Sequence, residues 1–497
     1  MTQGSPPPFT PATLARPRVT RAALAVASLL ALGACTALAP ARTPEAPAAS
    51  RFLETPPGWM AAAPADTLSR GPWWTLFGDP VLDRLAPQVA VSNQNVAAAA
   101  AAVEESRAAV REQRAAFFPT LSLDAGVTRS GVGGKTSSTT SSGVTVSTPK
   151  TGTKFSLGLG TSWEPDLWGR IANTVSAASA SAQASEADLA NATLSAQAAF
   201  VTDYLSVREA DAEIVTLQTT LEGYRRALQI TQNRYAAAIA QKSDVLQAQT
   251  TLANAQADLA QLRQQRAQLF HAMAVLAGQA PATFTLPAGD WNATTVPAIP
   301  VGVPSDLLQR RPDIASAERR VAAANADIGV ARAAYFPALT LSANGSQGST
   351  RLSDLFDVSS FAWSLGVSLA ETIFDGGARS ARVEEAQAAW KQAVAQYRQT
   401  VLEAFSAVED QLSAAASLEE QQALRRVASQ AADQTEQEMQ NRYKLGLVAY
   451  TDVVTAQASA LSARRALMQV SLNRQTAAID LVSALGGGWS VEKLSKE

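Results

Sequence analysis

The stretch RAAFFPTLSL (114–123) returns, little changed, as RAAYFPALTL (332–341). FSLGLG (155–160) is answered by WSLGVS (363–368), and QNRYAAAIAQKSDVLQAQ (232–249) by QNRYKLGLVAYTDVVTAQ (440–457). The first pair is offset by 218 residues and the other two by 208. Three ordered matches are hard to obtain by chance, so the chain is a duplication of one structural unit whose first copy carries the longer hairpin loop. Whatever fold it adopts, it builds that fold twice.

Each copy has the same grammar. A helical segment, about 82–116 and about 305–334, runs into Phe-Pro. Proline has no amide donor and pushes the preceding residue out of the helical region, so the helix stops there. The period then changes to two. Leu121, Leu123, Ala125 and Val127 alternate with Ser122, Asp124, Gly126 and Thr128; Leu339, Leu341 and Ala343 alternate with Thr340, Ser342 and Asn344. The return strands, from Phe155 and from Phe361, alternate in the same way. This predicts four strands of about ten residues, in hairpins at about 120–164 and about 338–371, with one face apolar and the other small and polar.

Such strands fit a soluble sheet over a core or a membrane barrel around a wet lumen, and their length matches a tilted membrane strand. The tract RSGVGGKTSSTTSSGVTVSTPKTGTK (129–154) reads as a long outer loop with no means of forming a core. Four strands cannot close a barrel, for which about eight is the minimum. Open edges in lipid would leave backbone groups unpaired at several kcal/mol each. A spanning chain must therefore oligomerise. Two copies would give an eight-stranded barrel plugged by side chains, three a twelve-stranded barrel with room for a passage.

The remaining sequence predicts unusually long helices. From Ile171 to Leu276 there is no proline and one glycine, Gly223; from Ala378 to Leu445 there is neither. A helix over 171–236 would extend on the order of 100 Å. These segments are rich in Ala, Ser, Gln and Thr and lack sustained Leu heptads. A wall of closely packed helices fits them better than a solitary coiled coil.

At the N-terminus, Arg16, Arg18 and Arg21 precede a short apolar run that ends in Leu32-Gly33-Ala34-Cys35. The run is too short to span a bilayer and reads as a signal. Its end resembles a bacterial lipobox, which would make Cys35 the lipidated first residue of the mature chain. Thr36 follows in place of the Asp that retains lipoproteins at the inner membrane, which favours the outer membrane. The net charge of −2 excludes a typical nucleic-acid binder. One His and one Cys exclude a His/Cys metal cluster and an internal disulfide. No phosphate loop, Ser-His-Asp arrangement or metal motif occurs, so no cofactor and no enzyme activity is expected. His271 reads as a packed or surface residue, and the pairs Glu104–Glu105 and Glu384–Glu385 as solvated helix faces.

VPSDLLQRRPDIASAERRVAAANADIGVARAAYFPALTL (303–341), GPWWTLFGDPVLDRL (71–85), WEPDLWGR (163–170) and IFDGGAR (373–379) resemble the TolC-like outer-membrane efflux family, most closely its NodT/OprM lipoprotein branch. The resemblance covers nearly all of the mature chain. It implies a homotrimer, with a twelve-stranded outer-membrane β-barrel built from four strands per chain. Below the barrel it implies a twelve-helix periplasmic α-barrel with an equatorial collar. A periplasmic adaptor and an inner-membrane pump, usually of the resistance-nodulation-division (RND) type, would be the partners, with outer-membrane lipid around the barrel. On this plan 1–34 is the signal peptide and 35–80 the lipid-anchored segment and collar. Residues 81–280 form the first repeat, with long helices over 171–279, and 281–304 a linker. Residues 305–486 form the second repeat, with long helices over 378–486, and 487–497 the tail. The chain would be a passive exit duct for small molecules. The alternatives are a type I protein-secretion or ATP-driven export duct, and a periplasmic lipoprotein with no pore.

The matched turns AAAIAQKSD (236–244) and KLGLVAYTD (444–452) would be the periplasmic tips. Gly446 permits a sharp reversal where the first copy has Ala238. Ser243 and Thr451 stand at expected N-caps, with Asp244 and Asp452 just inside the next helix. The resemblance implies an acidic gating ring at Asp452, and with less support at Asp244; Thr455 stands where the family often has a second Asp. It also implies a latch of tyrosine and basic residues, here Arg234–Tyr235 and Arg442–Tyr443. Gly446, Leu447, Val448 and Ala449 are the expected contact with the adaptor, the last three as exposed apolar residues.

Overall fold

The computed structural model describes residues 52–53, 72–139, 145–287, 289–292, 296–297 and 310–488. The signal, Cys35, the tail beyond 488 and parts of the 281–304 linker lie outside them. The chain divides into two compact units, which are taken in turn.

The first unit includes residues 114–174 and 325–386. Its centre is a four-stranded antiparallel sheet of β1 (Thr120–Thr139), β2 (Thr145–Trp163), β3 (Ala338–Ser349) and β4 (Phe361–Ala370), in that order. The register settles the two faces. Leu123 opposes Leu159, Val127 opposes Phe155, Trp163 opposes Leu341, and Leu341 opposes Val367. Ser122 opposes Gly160, Gly160 opposes Asn344, and Ser342 opposes Gly366 on the other face. A Cβ at Gly366 would sit 2.6 Å from Ser342 Oγ, so a larger residue there would force that hydroxyl to rotate away. The apolar face is exposed along the two outer strands, with Leu121 71% and Leu365 75% exposed.

Two expectations are corrected here. β1 and β2 run to 20 and 19 residues, not about ten. The Ser/Thr/Gly tract is mostly ladder, paired from Arg129↔Thr153 to Thr139↔Thr145 with an irregularity between Gly131 and Lys135. Poverty in apolar residues rules out a core, but a ladder of backbone hydrogen bonds between β-branched Thr and Val residues needs none.

Both Phe-Pro junctions are bolted by an indole. Trp163 Nε1 donates to Phe117 O at 2.9 Å, and Trp168 Nε1 donates to Pro337 O at 2.8 Å. The Trp168 ring stacks on Phe336 at 4.9 Å. Each bond satisfies a carbonyl orphaned where helix gives way to strand.

The second unit includes residues 43–113, 175–324 and 387–497, of which the described part is helical. The α-helices among the described residues are α1 (Pro80–Ser92), α2 (Gln94–Ala115), α3 (Arg170–Ala236), α4 (Lys242–Leu276), α5 (Pro312–Ala333), α6 (Ala378–Lys444) and α7 (Tyr450–Ala484). α3 and α6 are each 67 residues, and every boundary of α6 and α7 lies 208 residues beyond its counterpart in α3 and α4. No helix among the described residues is long and apolar enough to cross a membrane. The single helix expected over 82–116 is broken at Asn93. The Asn93 side chain accepts from Asn95 N (2.9 Å) and Val96 N (3.2 Å) and donates to Leu276 O (2.9 Å). An Asn that caps the following turn favours an extended backbone over helix continuation.

The main core of this unit gathers Trp73, Trp74 and Phe77, α1, Phe200 and Tyr204 of α3, Met273 of α4, and Ile479 and Leu481 of α7. A buried polar chain crosses it. Tyr204 Oη donates to Asp79 Oδ2 (2.5 Å) and accepts from Arg208 Nε (3.1 Å); Arg208 Nη2 donates to Pro287 O (2.9 Å). Asp79 also caps α1, accepting from Val81 N and Leu82 N. Three segments distant in sequence are thus joined through the Tyr204–Arg208 pair, the hydroxyl holding Asp79 and the guanidinium holding Pro287. At the second repeat, Arg311 forks onto Asp313 and donates to Ala484 O (2.8 Å), tying the start of α5 to the end of α7.

Candidate functional site

Both tips are built by one backbone motif. After α3, Ile239 N donates to Arg234 O (2.8 Å) and Ala238 N to Tyr235 O (3.0 Å). After α6, Leu447 N donates to Arg442 O (3.0 Å) and Gly446 N to Tyr443 O (2.9 Å). This paired closure requires a left-handed residue. Gly446 supplies it at φ 77°, while Ala238 is forced to φ 55°. A Cβ on Gly446 would meet nothing nearer than Arg234 Nη2 at 3.7 Å, so backbone conformation alone separates the two tips. We expect Gly446→Ala to cost about 1 kcal/mol and Ala238→Gly to gain up to about that much. Amide hydrogen exchange at the two tips should move several-fold in opposite directions.

The expected N-caps lie two residues too late. α4 and α7 begin at Lys242 and Tyr450, so the caps are Gln241 and Ala449, and Ser243 and Thr451 lie inside the helices. The capping work falls to the acids. Asp452 Oδ2 accepts from Ala449 N at 3.1 Å, and Asp244 Oδ2 accepts from Gln241 N at 3.4 Å. Each carboxylate reaches back to the start of its helix, where the dipole favours it. Asp452 is exposed and Asp244 half-buried. Thr455 is exposed and donates to Thr451 O (2.9 Å).

The four latch residues separate into two pairs. Arg234 Nη1 donates to Tyr443 O (2.8 Å), and its guanidinium lies 4.7 Å from the centroid of the Tyr443 ring. This joins the C-terminal ends of α3 and α6 through residues 209 apart in sequence. Tyr235 and Arg442 do not share that contact. Tyr235 is exposed beside Lys242, and Arg442 pairs with Glu438 one turn earlier. Adjacent residues on a helix point about 100° apart, so only one of each pair can face the neighbouring hairpin.

Tyr443 also tilts against Tyr450 at 5.2 Å, within a cluster that includes Ala248 and Val453. Burial in this cluster, with smaller contributions led by Tyr443, pushes the Tyr450 hydroxyl up to about 12. Val448 packs partly against the cluster and so is not an exposed residue, which corrects its expected place. Leu447 is 69% exposed, and Leu445 on the same tip and Ile239 on the first one are exposed too. A groove of about 370 Å³ between the hairpins is lined by Gly223, Ile230, Tyr443, Tyr450 and Val453, among others. Tyr450 was legible in the copies themselves, because the first copy has Lys242 at the matching position.

Above the tips, α7 grips its neighbours through two arginines. Arg464 bonds Asp433 (2.7 Å) and Glu436 (2.8 Å) of α6, and Arg465 bonds Glu213 (2.5 Å) of α3. One turn from that bond, burial and the charge of Glu213 push the Glu209 carboxyl up to about 7 against the opposing pull of Arg465. Among the described residues no group of His, Cys, Asp and Glu could hold a metal ion. His271 is on the surface.

Comparison with known proteins agrees with this architecture. Residues 85–279 and 303–487 match the outer membrane efflux protein family. The toluene efflux pump outer membrane protein TtgC of Pseudomonas putida is 32% identical, across 94% of this chain and 95% of its own length. The cation efflux system protein CusC of Escherichia coli is 29% identical, across 93% and 97%. The solved outer-membrane channel OprN superposes with a TM-score of 0.82 at 30% identity, covering 92% of this chain and all of that one. The duplicated sheet-and-helix chain is a member of the outer membrane efflux protein family, an outer-membrane component of an efflux system.

Proposed function

We infer that three copies of this chain form a passive exit duct, a twelve-stranded barrel in the outer membrane with a twelve-helix conduit reaching into the periplasm. The observation that carries this reading is the sheet. Among the described residues β1 pairs only with β2 and β4 only with β3, so both edges lack a partner there, and the apolar face is exposed along both outer strands. Lipid covers such a face, and edge-to-edge closure with further copies pairs the edges. Four strands per copy make three the smallest number that leaves a passage. Cysteines placed on β1 and β4 should cross-link into a heat-modifiable trimer, and that trimer should conduct in planar bilayers. A monomer without conductance would overturn the reading.

In this duct the tips bear the gate and the adaptor contact. Asp452, repeated around the threefold axis, forms an acidic ring, and the Arg234–Tyr443 contact holds the hairpins together. Asp452→Asn keeps an oxygen for Ala449 N and removes only the charge. It should raise resting conductance and lower cation selectivity several-fold, whereas Asp244→Asn should change neither. Equal effects of the two would reduce both acids to caps. Cross-linking from Leu447 is expected to capture a periplasmic adaptor and, through it, an RND-type inner-membrane pump. An ATP-driven transporter in its place would move protein secretion or ATP-driven export to first rank. The names of TtgC and CusC attach toluene to one and cations to the other, which fits a shared duct whose pump selects the cargo.

A further inference from the structure

We propose that the outer end of the sheet binds the phosphate groups of an outer-leaflet glycolipid, with Arg129 as the anchoring contact. The proposal rests on the reading of the sheet as a membrane wall. Leu121, Leu123, Ala125 and Val127 form the apolar row of β1, and the next position on that face is Arg129. Its side chain is exposed and has no hydrogen-bond or ion-pair partner among the described residues. It lies midway along β1, just beyond the point where the four-stranded part of the sheet ends on the side remote from the Phe-Pro junction. The surface that an acyl chain would cover therefore ends in a cation at the level of the lipid headgroup. A planar guanidinium matches a phosphate in bidentate fashion.

The sequence around it carries the same sign. Between Ala125 and Trp163 stand Arg129, Lys135, Lys150 and Lys154 with no Asp or Glu. β3 accompanies β2 only as far as the Phe155↔Ser349 pair, so the ladder from Arg129 to Thr139 continues as a two-stranded ribbon. At about 3.4 Å per residue the ribbon is roughly 35 Å long, and it holds Lys135 and Lys150. The neighbouring β3–β4 connection is not basic, since Asp354 and Asp357 offset Arg351. Lys154 serves as an internal control, because the register places it on the small-residue face, opposite to Arg129.

The test uses the full-length protein in detergent, with binding of bis-phosphorylated lipid A followed by native mass spectrometry. The wild type should prefer this lipid to its dephosphorylated form by about tenfold or more, and preference should weaken as salt rises. Arg129→Gln should lose about fivefold or more in affinity, Arg129→Lys should retain most of it, and Lys154→Gln should change it less than twofold. Trimer assembly and conductance should be unaltered in all three. Equal binding of the dephosphorylated lipid, a neutral Arg129→Gln, or equal losses from Arg129→Gln and Lys154→Gln would overturn the proposal. Displacement of the lipid by inorganic phosphate at similar concentration would also overturn it, since the site would then recognise free phosphate. A wild type that forms no conducting trimer would overturn the membrane-wall reading and this inference with it, and conductance alone reveals that case.

Discussion

Leu365→Arg is expected to abolish membrane assembly. Leu365 is central in β4, opposite Ala343, and 75% exposed in the chain. An arginine on the lipid face near mid-membrane costs about 2–4 kcal/mol, and a three-copy barrel bears that cost three times. The heat-modifiable trimer should disappear from the outer-membrane fraction. Ser364→Arg, the next residue on the opposite face, should still assemble and should reduce conductance instead. The pair is informative because its sign depends on the environment. If water covered the apolar face, Leu365→Arg would improve solubility and leave folding intact.

The second large effect is expected at Arg208, which is 2% exposed. Arg208→Ala leaves the Tyr204 hydroxyl and the Pro287 carbonyl short of a donor and opens a void between them. Losing one member of a buried charged network costs roughly 3 kcal/mol or more. Arg208→Lys should recover only part of this, because an ammonium cannot span both acceptors as the fork does. Since the guanidinium holds the linker, the damage should appear first as protease cleavage between 281 and 292. A fall in the unfolding temperature should follow. A variant with wild-type cleavage and unfolding would show that the core holds the linker without this network.

The parts of the fold set by neighbours in sequence were legible from sequence. Phe-Pro ends the helix wherever it occurs, and alternation at Leu121–Val127 and Phe361–Leu369 sorts the faces before any partner strand is known. What was not legible depends on long-range partners. Asn93 ends a helix because Leu276 presents a carbonyl to it. Arg234 and Tyr443 meet while Tyr235 and Arg442 do not, because the position of the second hairpin decides which side of each helix is covered. Val448 is sheltered by Tyr443 and Tyr450 for the same reason. The misplaced N-caps have a subtler cause. Ser243 and Thr451 have the right chemistry, but the acid that follows each one already satisfies the helix start from inside.

The two indole bolts have an evolutionary consequence. Both come from the first copy, and the positions matching Trp163 and Trp168 in the second copy are Glu371 and Gly376. The second copy borrows its bolt at Pro337 from the first and keeps none of its own. Whatever half-length unit was once doubled, in this chain the second junction depends on the first copy. A chain cut between the repeats would not yield two small proteins, only one self-sufficient junction and one that waits for a missing hand.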